Sequence, residues 1–157
     1  MKITLLCVGK TDDSYLQEGI SKYANRLKHY IRFSIVEIPD LKNTKNLSFE
    51  QQKSKEAELI MKQVSATDHV VLLDDKGKEY TSKAFAEFLN QGMIKSIGSM
   101  VFIIGGPYGF DDQIYQRADM KLSLSKMTFS HQMVRLFFTE QLYRSFTILR
   151  NEPYHHE

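Results

Sequence analysis

Two glycine-containing segments of this 157-residue chain have the residue types of a phosphate or nucleotide site. Gly9-Lys10-Thr11 has the ending of a P-loop, but that motif needs a glycine where this chain has Thr4 inside an apolar run. We therefore interpret Gly9 as a turn out of the first strand. The second segment, Gly105-Gly106-Pro107-Tyr108-Gly109, follows an apolar strand, and open α/β sheets bind ligands at strand ends. We expect ligand contact at these glycines, with a tight strand-to-helix turn as the alternative.

A hydroxyl-rich segment, Ser123 to Ser130, begins in another short apolar run. It ends where a long helical pattern starts, and the free N–H groups and dipole of a helix N-terminus favour a polar or anionic group. A simple helix cap is the alternative. His131 follows directly, and its ordinary pKa of about 6.5 suits proton transfer near neutral pH, although an isolated histidine is as often a surface residue.

Further candidates lie towards the C-terminus. Arg144 stands four residues after Glu140, which is the spacing of an ion pair within one helix. Tyr154, His155 and His156 lie in a short terminus that, taken alone, has the composition of a disordered end. The 5 histidines lack the spacing or cysteine partners of a metal site, and there is no G-x-S-x-G motif of a serine hydrolase. We therefore expect neither a metal nor a serine nucleophile.

The elements that position these residues follow from the hydrophobic pattern. Short apolar runs alternate with longer segments of helical period and no internal repeat occurs, which predicts one α/β domain over residues 1–157. Its sheet is expected to be mostly parallel, five- to six-stranded, with helices on both faces. The predicted strands are Ile3 to Val8, Phe33 to Ile38, His69 to Asp74, Met100 to Ile104 and Lys121 to Ser125.

The first two helices are predicted from polar residues that can cap a first turn. The first opens near Asp12 or Asp13. The second opens at Ser48 and Gln51, which have the spacing of a capping box, and runs to about Val64. Apolar residues at helical spacing predict the buried faces, which are Leu16, Ile20, Tyr23, Leu27 and Tyr30 in the first helix and Ala57, Ile60, Met61 and Val64 in the second.

The remaining elements are one loop and three helices. Residues 40–46 are predicted to be a mobile polar loop, and Ser82 to Gln91 a third helix. A brief helix follows caps at Asp111 and Asp112, and the last helix covers His131 to about Arg150. The predicted buried faces are Phe85, Phe88 and Leu89, and then Val134, Phe137, Phe138, Gln141, Leu142, Ser145, Ile148 and Leu149.

Composition narrows the class of protein. With 42% hydrophobic and 25% charged residues the chain is an ordinary globular domain, and its single cysteine, Cys7 in an apolar run, excludes an intramolecular disulfide. A net charge of +2 permits a nucleic-acid partner without demanding one. The apolar runs fall far short of the ~20 residues of a membrane span, and the N-terminus lacks a signal-peptide pattern, so we expect a cytoplasmic protein with no membrane contact.

Several short segments, in the same order and at the same spacing, match one pattern over nearly the whole chain. They are Met1-Lys2-Ile3-x-Leu5-x-Cys7-Val8-Gly9-Lys10, Leu73-x-x-x-Gly77-Lys78, Ile104-Gly105-Gly106-x-x-Gly109, Ser123-x-Ser125-x-Met127-Thr128, His131-Gln132-Met133-Val134-Arg135, Glu140-Gln141-Leu142-Tyr143-Arg144 and Pro153-Tyr154-His155. Together they resemble the small SPOUT-class methyltransferases of the bacterial ribosome, of the RlmH type.

The resemblance implies features that the hydrophobic pattern does not supply. It implies a deep trefoil knot in the C-terminal part of the sheet, which is a rare exception to unknotted topology. It also implies an obligate homodimer whose active site is completed by the partner's C-terminal tail. The implied reaction transfers the methyl group of S-adenosylmethionine, without a metal, to N3 of a pseudouridine in a stem-loop of 23S rRNA within the assembled ribosome.

Positions that match the family pattern then become candidate site residues. Among them, a neutral histidine can accept the N3 proton, and an arginine can stabilise charge on the uracil oxygens or bind a phosphate. Which histidine acts stays open. The family commonly has proline at the position of Ser130. The cofactor candidates are Leu73, Gly105, Gly106, Ser125, Lys126, Met127, Thr128, Phe129 and Ser130, and the substrate and catalytic candidates are His131, Arg144, Tyr154 and His155.

Three other interpretations remain open at the level of sequence. The same class of methyltransferase can act on another RNA such as tRNA, although this chain has no added RNA-binding domain. The second interpretation is a catalytically silent module that only binds ribosomes. The third is a nucleotide-binding regulator of the doubly wound type, which would bind ATP or NAD and not S-adenosylmethionine.

Overall fold

The computed structural model describes all 157 residues and contains one five-stranded sheet in the order β2-β1-β4-β3-β5. Every strand pairing is parallel, as predicted, so all five strands end at the same edge of the sheet. The predicted strand number is confirmed at its lower value, since a sixth strand does not form. The strands are β1 Lys2–Val8, β2 Arg32–Ile38, β3 His69–Glu79, β4 Ser99–Ile104 and β5 Met120–Ser123.

Five α-helices cover the two faces of the sheet. Helices α1, α3 and α5 pack on one face through a cluster that includes Leu27, Phe85 and Phe138. Helices α2 and α4 pack on the other face through Ile60 and Ile114. The helices are α1 Ser14–Leu27, α2 Phe49–Gln63, α3 Ser82–Ile94, α4 Asp112–Arg117 and α5 His131–Leu149.

Most helix starts agree with the predicted caps. The capping box of Ser48 and Gln51 is complete in both directions, and Asp111 accepts a hydrogen bond at the start of α4. The predicted capping of α1 by an aspartate side chain is wrong. Asp13 is at the cap position without making a side-chain hydrogen bond, and the N–H of Asp12 donates instead to the Gln132 side chain of α5, at 3.1 Å. A contact with α5 thus holds the chain just before α1, and no aspartate side chain caps the helix.

The predicted buried faces are wrong at two positions. Met61 is 36% exposed and Phe137 is 37% exposed, because a narrower stripe of α2 is covered than the pattern indicates and the buried face of α5 instead includes Thr139 and Phe146. Tyr30 lies beyond the end of α1, yet it still packs against the core and donates a hydrogen bond to Glu152. The predicted loop at 40–46 contains a 3₁₀ turn, Thr44–Asn46, that its polar sequence did not indicate.

Strand β3 runs beyond the predicted end at Asp74 and bends around β5. Leu122 of β5 pairs first with Leu73 and then, across a bulge, with Lys78. A Cβ atom at Gly77 would lie 2.6 Å from the backbone of Leu122, so only glycine fits there. This close wrapping brings the two strand ends together, and the trefoil knot itself stays a prediction.

Two further expectations concern the core and the membrane. Cys7 is fully buried, as its apolar surroundings predict, and burial raises the pKa of its thiol to about 12. No helix in the structure has the length and apolar character needed to cross a bilayer.

Candidate functional site

A cavity of about 610 Å³ opens at the carboxyl edge of β3, β4 and β5. Parallel strands that end at one edge bring their following loops together, which is why residues distant in sequence meet there. The cavity collects nine of the predicted site residues, while Lys126 projects from the same loop as an exposed side chain and does not line it. The predicted residues in its wall are Leu73, Gly105, Gly106, Ser125, Met127, Thr128, Phe129, Ser130 and His131.

Little room is left for a side chain at the adjacent glycines after β4. A Cβ atom at Gly105 would lie 3.0 Å from the ring of Phe110, and one at Gly106 would lie 2.7 Å from a carboxylate oxygen of Glu56. Gly109 has φ +82° and closes the turn through a hydrogen bond to the Gly106 carbonyl. The tight-turn interpretation therefore accounts for these glycines, and their role in ligand binding depends on the cavity that they line.

Glu56 of α2 is a buried carboxylate that the sequence did not single out. Its residue is 6% exposed, and it faces Gly106 at the base of the glycine turn. Burial raises the pKa of this carboxyl group, a hydrogen bond involving Gln52 opposes the shift, and the charge of Asp40 adds to it. The carboxylate therefore prefers its protonated form more than an exposed glutamate does.

The hydroxyl groups of the loop at 123–130 mainly hold the loop itself. The Ser123 hydroxyl donates to the Ser125 carbonyl at 2.8 Å, and the Ser125 hydroxyl accepts from the N–H of Met127 at 3.0 Å. Ser130 caps α5 by accepting from the N–H of Met133 at 3.2 Å. The cap interpretation is therefore confirmed for Ser130, and the loop is ordered before any ligand arrives.

His131 lies half-buried in the first turn of α5, in the wall of the cavity. Burial lowers the pKa of its imidazole, and the charge of Arg135 lowers it further, while Asp40 and Asp12 act in the opposite direction. The ring is consequently neutral at neutral pH, which is the form that accepts a proton.

Arg135 holds the first turns of α5 against the end of β1. Its side chain is fully buried and donates to the carbonyls of Val8 and Gly9, both at 2.9 Å, and to the Thr11 hydroxyl at 3.0 Å. The sequence did contain a signal for this residue, because Arg135 occupies a core-facing position three residues before Phe138. A charged residue in an apolar stripe indicates a buried hydrogen-bonded anchor.

Asp74 adds an ionised carboxylate to the cavity wall. It accepts hydrogen bonds from the Tyr115 hydroxyl at 2.6 Å and from the N–H of Lys76 at 2.8 Å. Burial opposes ionisation, yet these hydrogen bonds hold the pKa of the carboxyl group below its ordinary value. A carboxylate at a strand end can accept hydrogen bonds from ribose hydroxyls or from an ammonium group.

The remaining predicted catalytic residues, Arg144, Tyr154 and His155, form a second group together with Glu140, and these four residues are called here the tail cluster. Arg144 donates to Glu140 at 2.6 Å and Tyr154 donates to the same carboxylate oxygen at 2.8 Å. Arg144 also lies 3.3 Å from Nδ1 of His155. The helical ion pair is confirmed, and the interpretation of a disordered end is wrong, because these contacts attach the tail to α5.

Electrostatics keep the tail cluster in defined charge states. The hydrogen bond and charge of Glu140 raise the pKa of Arg144, which stays protonated. Burial and hydrogen bonds with Tyr23 and Glu140 raise the pKa of the Tyr154 hydroxyl above its ordinary value. The cluster thus presents a permanent cation next to a neutral phenol and a histidine.

The cavity and the tail cluster do not meet within one chain. His131 and Arg144 are 13 positions apart in α5, which corresponds to about 20 Å along the helix axis. A smaller cavity of about 290 Å³ lies between them, beside Phe129, Phe137 and Glu140. The four predicted catalytic residues are therefore split between the two ends of one helix.

No group of three or more histidine, cysteine, aspartate or glutamate side chains is placed to hold a metal ion.

The class of protein follows from comparison of this chain with known families. A family model described as predicted SPOUT methyltransferase matches residues 1–155. The chain belongs to this family, and the resemblance drawn from its sequence is confirmed. A probable methylase family protein from Haemophilus influenzae Rd KW20 has a similar fold, with a TM-score of 0.55 at 13% identity over 99% of this chain and 70% of that chain.

Curated relatives of this chain carry one shared name. A protein of Christiangramia forsetii named Ribosomal RNA large subunit methyltransferase H is 60% identical over 156 residues, which covers 99% of each chain. The protein of the same name from Parabacteroides distasonis is 57% identical over 157 residues and 100% of each chain. The predicted enzyme class, a methyltransferase, is therefore confirmed.

Proposed function

We propose that this protein methylates ribosomal RNA of the large subunit, with S-adenosylmethionine as the methyl donor. The target is N3 of a pseudouridine in a stem-loop of 23S rRNA, presented by the assembled ribosome in the cytoplasm. The single observation that carries the proposal is the cavity at the carboxyl edge of the sheet, in a chain 60% identical to a protein named rRNA large subunit methyltransferase H.

The cavity has the dimensions and groups that the donor requires. Its volume of about 610 Å³ falls in the range of small-molecule sites, roughly 300–1,000 Å³. Leu73 and Ile104 supply apolar wall, and Asp74 supplies an ionised carboxylate for hydroxyl or ammonium groups. When bound, the donor supplies a methyl group on a sulfonium centre and departs as a neutral thioether.

Residues of this chain then have two tasks, which are orientation of the target base and removal of its N3 proton. His131 is the proton acceptor favoured here because it lines the cavity and is neutral at neutral pH. His155, which contacts Arg144, is the other candidate. Arg144 supplies a fixed positive charge that can stabilise negative charge on the uracil oxygens as the proton leaves.

We propose that these tasks are shared between two copies of the chain. Arg144 lies about 20 Å along α5 from His131, and no residue of the tail cluster lines the cavity. In a homodimer related by two-fold symmetry, the tail cluster of one copy can reach the cavity of the other. We therefore propose a composite site, with Tyr154 and His155 contributed across the dimer.

The first experiment measures transfer of radiolabelled methyl from S-adenosylmethionine to 70S ribosomes, isolated 50S subunits and free 23S rRNA. Nuclease digestion then identifies the labelled nucleoside. We expect N3-methylpseudouridine on the assembled ribosome. Absence of label on all three, with the donor shown to bind, would overturn the ribosomal substrate and direct the search to tRNA.

The second experiment tests the composite site by mixing two inactive variants, His131→Ala and Arg144→Ala. Random exchange of subunits gives heterodimers with one intact composite site, so about a quarter of the unmodified activity should return in the mixture. The matched control mixes each variant with itself and should recover nothing. If the mixture also stays inactive while heterodimers form, the site lies within one chain.

A further inference from the structure

An aromatic pair beside the cavity is not explained by the packing of the fold. Phe49 is 63% exposed and Tyr108 is 41% exposed, and neither contributes to the hydrophobic clusters that hold the helices on the sheet. Their rings nevertheless stack, with centroids 4.2 Å apart and 21° between the planes. Contiguous apolar surface in this position is typical of a binding surface.

Both rings are held in place by backbone structure. Phe49 is the first residue of α2, whose start is fixed by the complete capping box. Tyr108 follows Pro107 in the turn that the N–H of Gly109 closes on the Gly106 carbonyl, at 3.2 Å. Because these positions are ordered in the free protein, a partner that stacks on the rings loses little additional conformational entropy in binding.

The location of the pair connects it to the reaction. Tyr108 lines the cavity, and Phe49 stacks on it from α2, so the aromatic surface runs from the cavity rim onto the exterior. The pair joins the loop after β4, which carries Tyr108, to the first residue of α2, which is Phe49. A ligand group that extends out of the cavity would meet this surface.

Charges of both signs lie near the pair, because the carboxylates of Asp111 and Asp112 act on Lys53 of α2 and the loop before α2 carries lysines. Lys42 and Lys45, in the loop before α2, are exposed and form no ion pair. The nearby Glu50 carboxylate is neutralised by Lys53 at 2.9 Å. Stacking rings next to unpaired lysines are the combination that binds single-stranded nucleic acid, since the rings contact bases and the lysines contact phosphates.

We propose that Phe49 and Tyr108 form a platform on which an unpaired base of the RNA substrate stacks, next to the nucleotide that receives the methyl group. This inference rests on the proposed function. Unpaired loop bases are the usual target of RNA recognition, and aromatic side chains bind them through their flat faces. Lys42 and Lys45 bind the flanking phosphates.

The test uses Phe49→Ala and Tyr108→Ala in the full-length protein, with initial rates measured against ribosome concentration. Loss of one stacked base should raise the KM for ribosomes by about 5- to 100-fold. The dissociation constant for S-adenosylmethionine, measured by calorimetry, should stay unchanged in Phe49→Ala, because Phe49 does not line the cavity. Phe49→Tyr and Tyr108→Phe keep the flat rings and should keep a KM close to that of the unmodified protein.

Ile94→Ala is the matched control, because Ile94 is 65% exposed and apolar but lies at the end of α3. Its KM should not change. Unchanged KM values for both alanine variants at the pair would overturn the proposal. So would a parallel loss of donor affinity in Phe49→Ala, which would assign the pair to the donor site, or a change in molar mass, which would place the pair in a subunit interface.

Failure of the proposed function gives a different result. In that case the unmodified protein transfers no methyl group, and co-sedimentation with ribosomes replaces the rate as the measurement. Weaker co-sedimentation of the alanine variants than of Ile94→Ala would still support the platform. Equal co-sedimentation of all variants, or none by the unmodified protein, would overturn it.

Discussion

The cavity and the tail cluster, at opposite ends of α5, are built in different ways. The cavity is formed by strand ends and by ordered turns, and one chain is sufficient to make it. The tail cluster is a set of charged and polar side chains held around Glu140, and it lies about 20 Å away along the helix. Under the proposed function, one chain would be sufficient to bind the donor, whereas the composite site on which the substrate is methylated would need a second copy.

This comparison of the cavity with the tail cluster predicts that removing a charge from the tail cluster lowers the rate of methyl transfer and leaves donor binding unchanged. Arg144→Ala should lower kcat by about 100-fold or more, because a fixed cation that stabilises developing charge is lost. Rapid-quench measurement of transfer, with calorimetry for donor affinity, checks this. Arg150→Ala, an exposed arginine directly after α5, is the control and should keep both values. Equal loss of donor affinity in Arg144→Ala would contradict the separation of the two regions.

The acid limb of the pH profile of methyl transfer should distinguish His131 from His155 as the proton acceptor. Burial and Arg135 lower the pKa of His131, so the ring stays neutral to a lower pH than an exposed histidine does. Transfer should be constant around neutral pH and fall by about tenfold per pH unit below that lowered pKa. The unfolded chain binds this proton more readily than the folded one, so stability should also fall as the pH decreases through the histidine range.

If His131 is the proton acceptor, His131→Gln should remove this acid limb. If His155 of the tail cluster is the acceptor, the acid limb should remain in His131→Gln. The measurement is kcat/KM for ribosomes at constant ionic strength across the pH range. An unchanged profile in His131→Gln would assign the proton to another group.

The bulge of β3 beside β5 contributes residues to the cavity wall, and Gly77 tests how rigidly the two strands are held together. Gly77→Ala places a Cβ atom 2.6 Å from the Leu122 backbone, so stability should fall by about 1–3 kcal/mol through overpacking. Denaturant unfolding measures the loss. Gly98→Ala is the matched control, since no atom lies within 4 Å of its Cβ position. Equal stabilities for the two variants would show that the close approach is not rigid.

The smallest expected effect on stability comes from removing the caps of two helices. Ser130→Ala removes the cap of α5 and Thr81→Ala removes the cap of α3, and each should cost about 1 kcal/mol of stability. Ser130 also ends the loop that lines the cavity, so its variant should additionally weaken donor binding, whereas Thr81→Ala should not. Thermal melts with and without S-adenosylmethionine give both quantities, and equal donor-dependent shifts would argue against a special role for the loop.

Local patterns explain why many elements could be predicted. Apolar runs such as Met100 to Ile104 are buried on both faces of a parallel sheet, so they are continuous and easy to recognise. The capping box at Ser48 predicted the start of α2 because the cap is satisfied within a few residues. The polar extension of β3 beyond Asp74 could not be predicted in this way, since its pairing with β5 uses backbone groups and close approach at Gly77.

Side chains with distant partners were predicted less well. Arg135 anchors α5 to three groups at the end of β1, and nothing near it in the sequence shows those partners. Phe137 fits the helical stripe but faces Phe129, with ring centroids 5.0 Å apart, and stays partly exposed. The tail was predicted as loose because Glu140, its main partner, lies on another element.

The amino-acid sequence by itself determined the inventory of this protein: five strands, five helices, the glycine turn, the hydroxyl-rich loop and the family resemblance. The tertiary structure alone decided the strand order β2-β1-β4-β3-β5, which brings three strand ends to one cavity. It also decided that the predicted catalytic residues lie at opposite ends of α5. The physical reason is that periodicity reports which face of an element is buried, whereas the partner of that face is set by contacts between residues far apart in the chain.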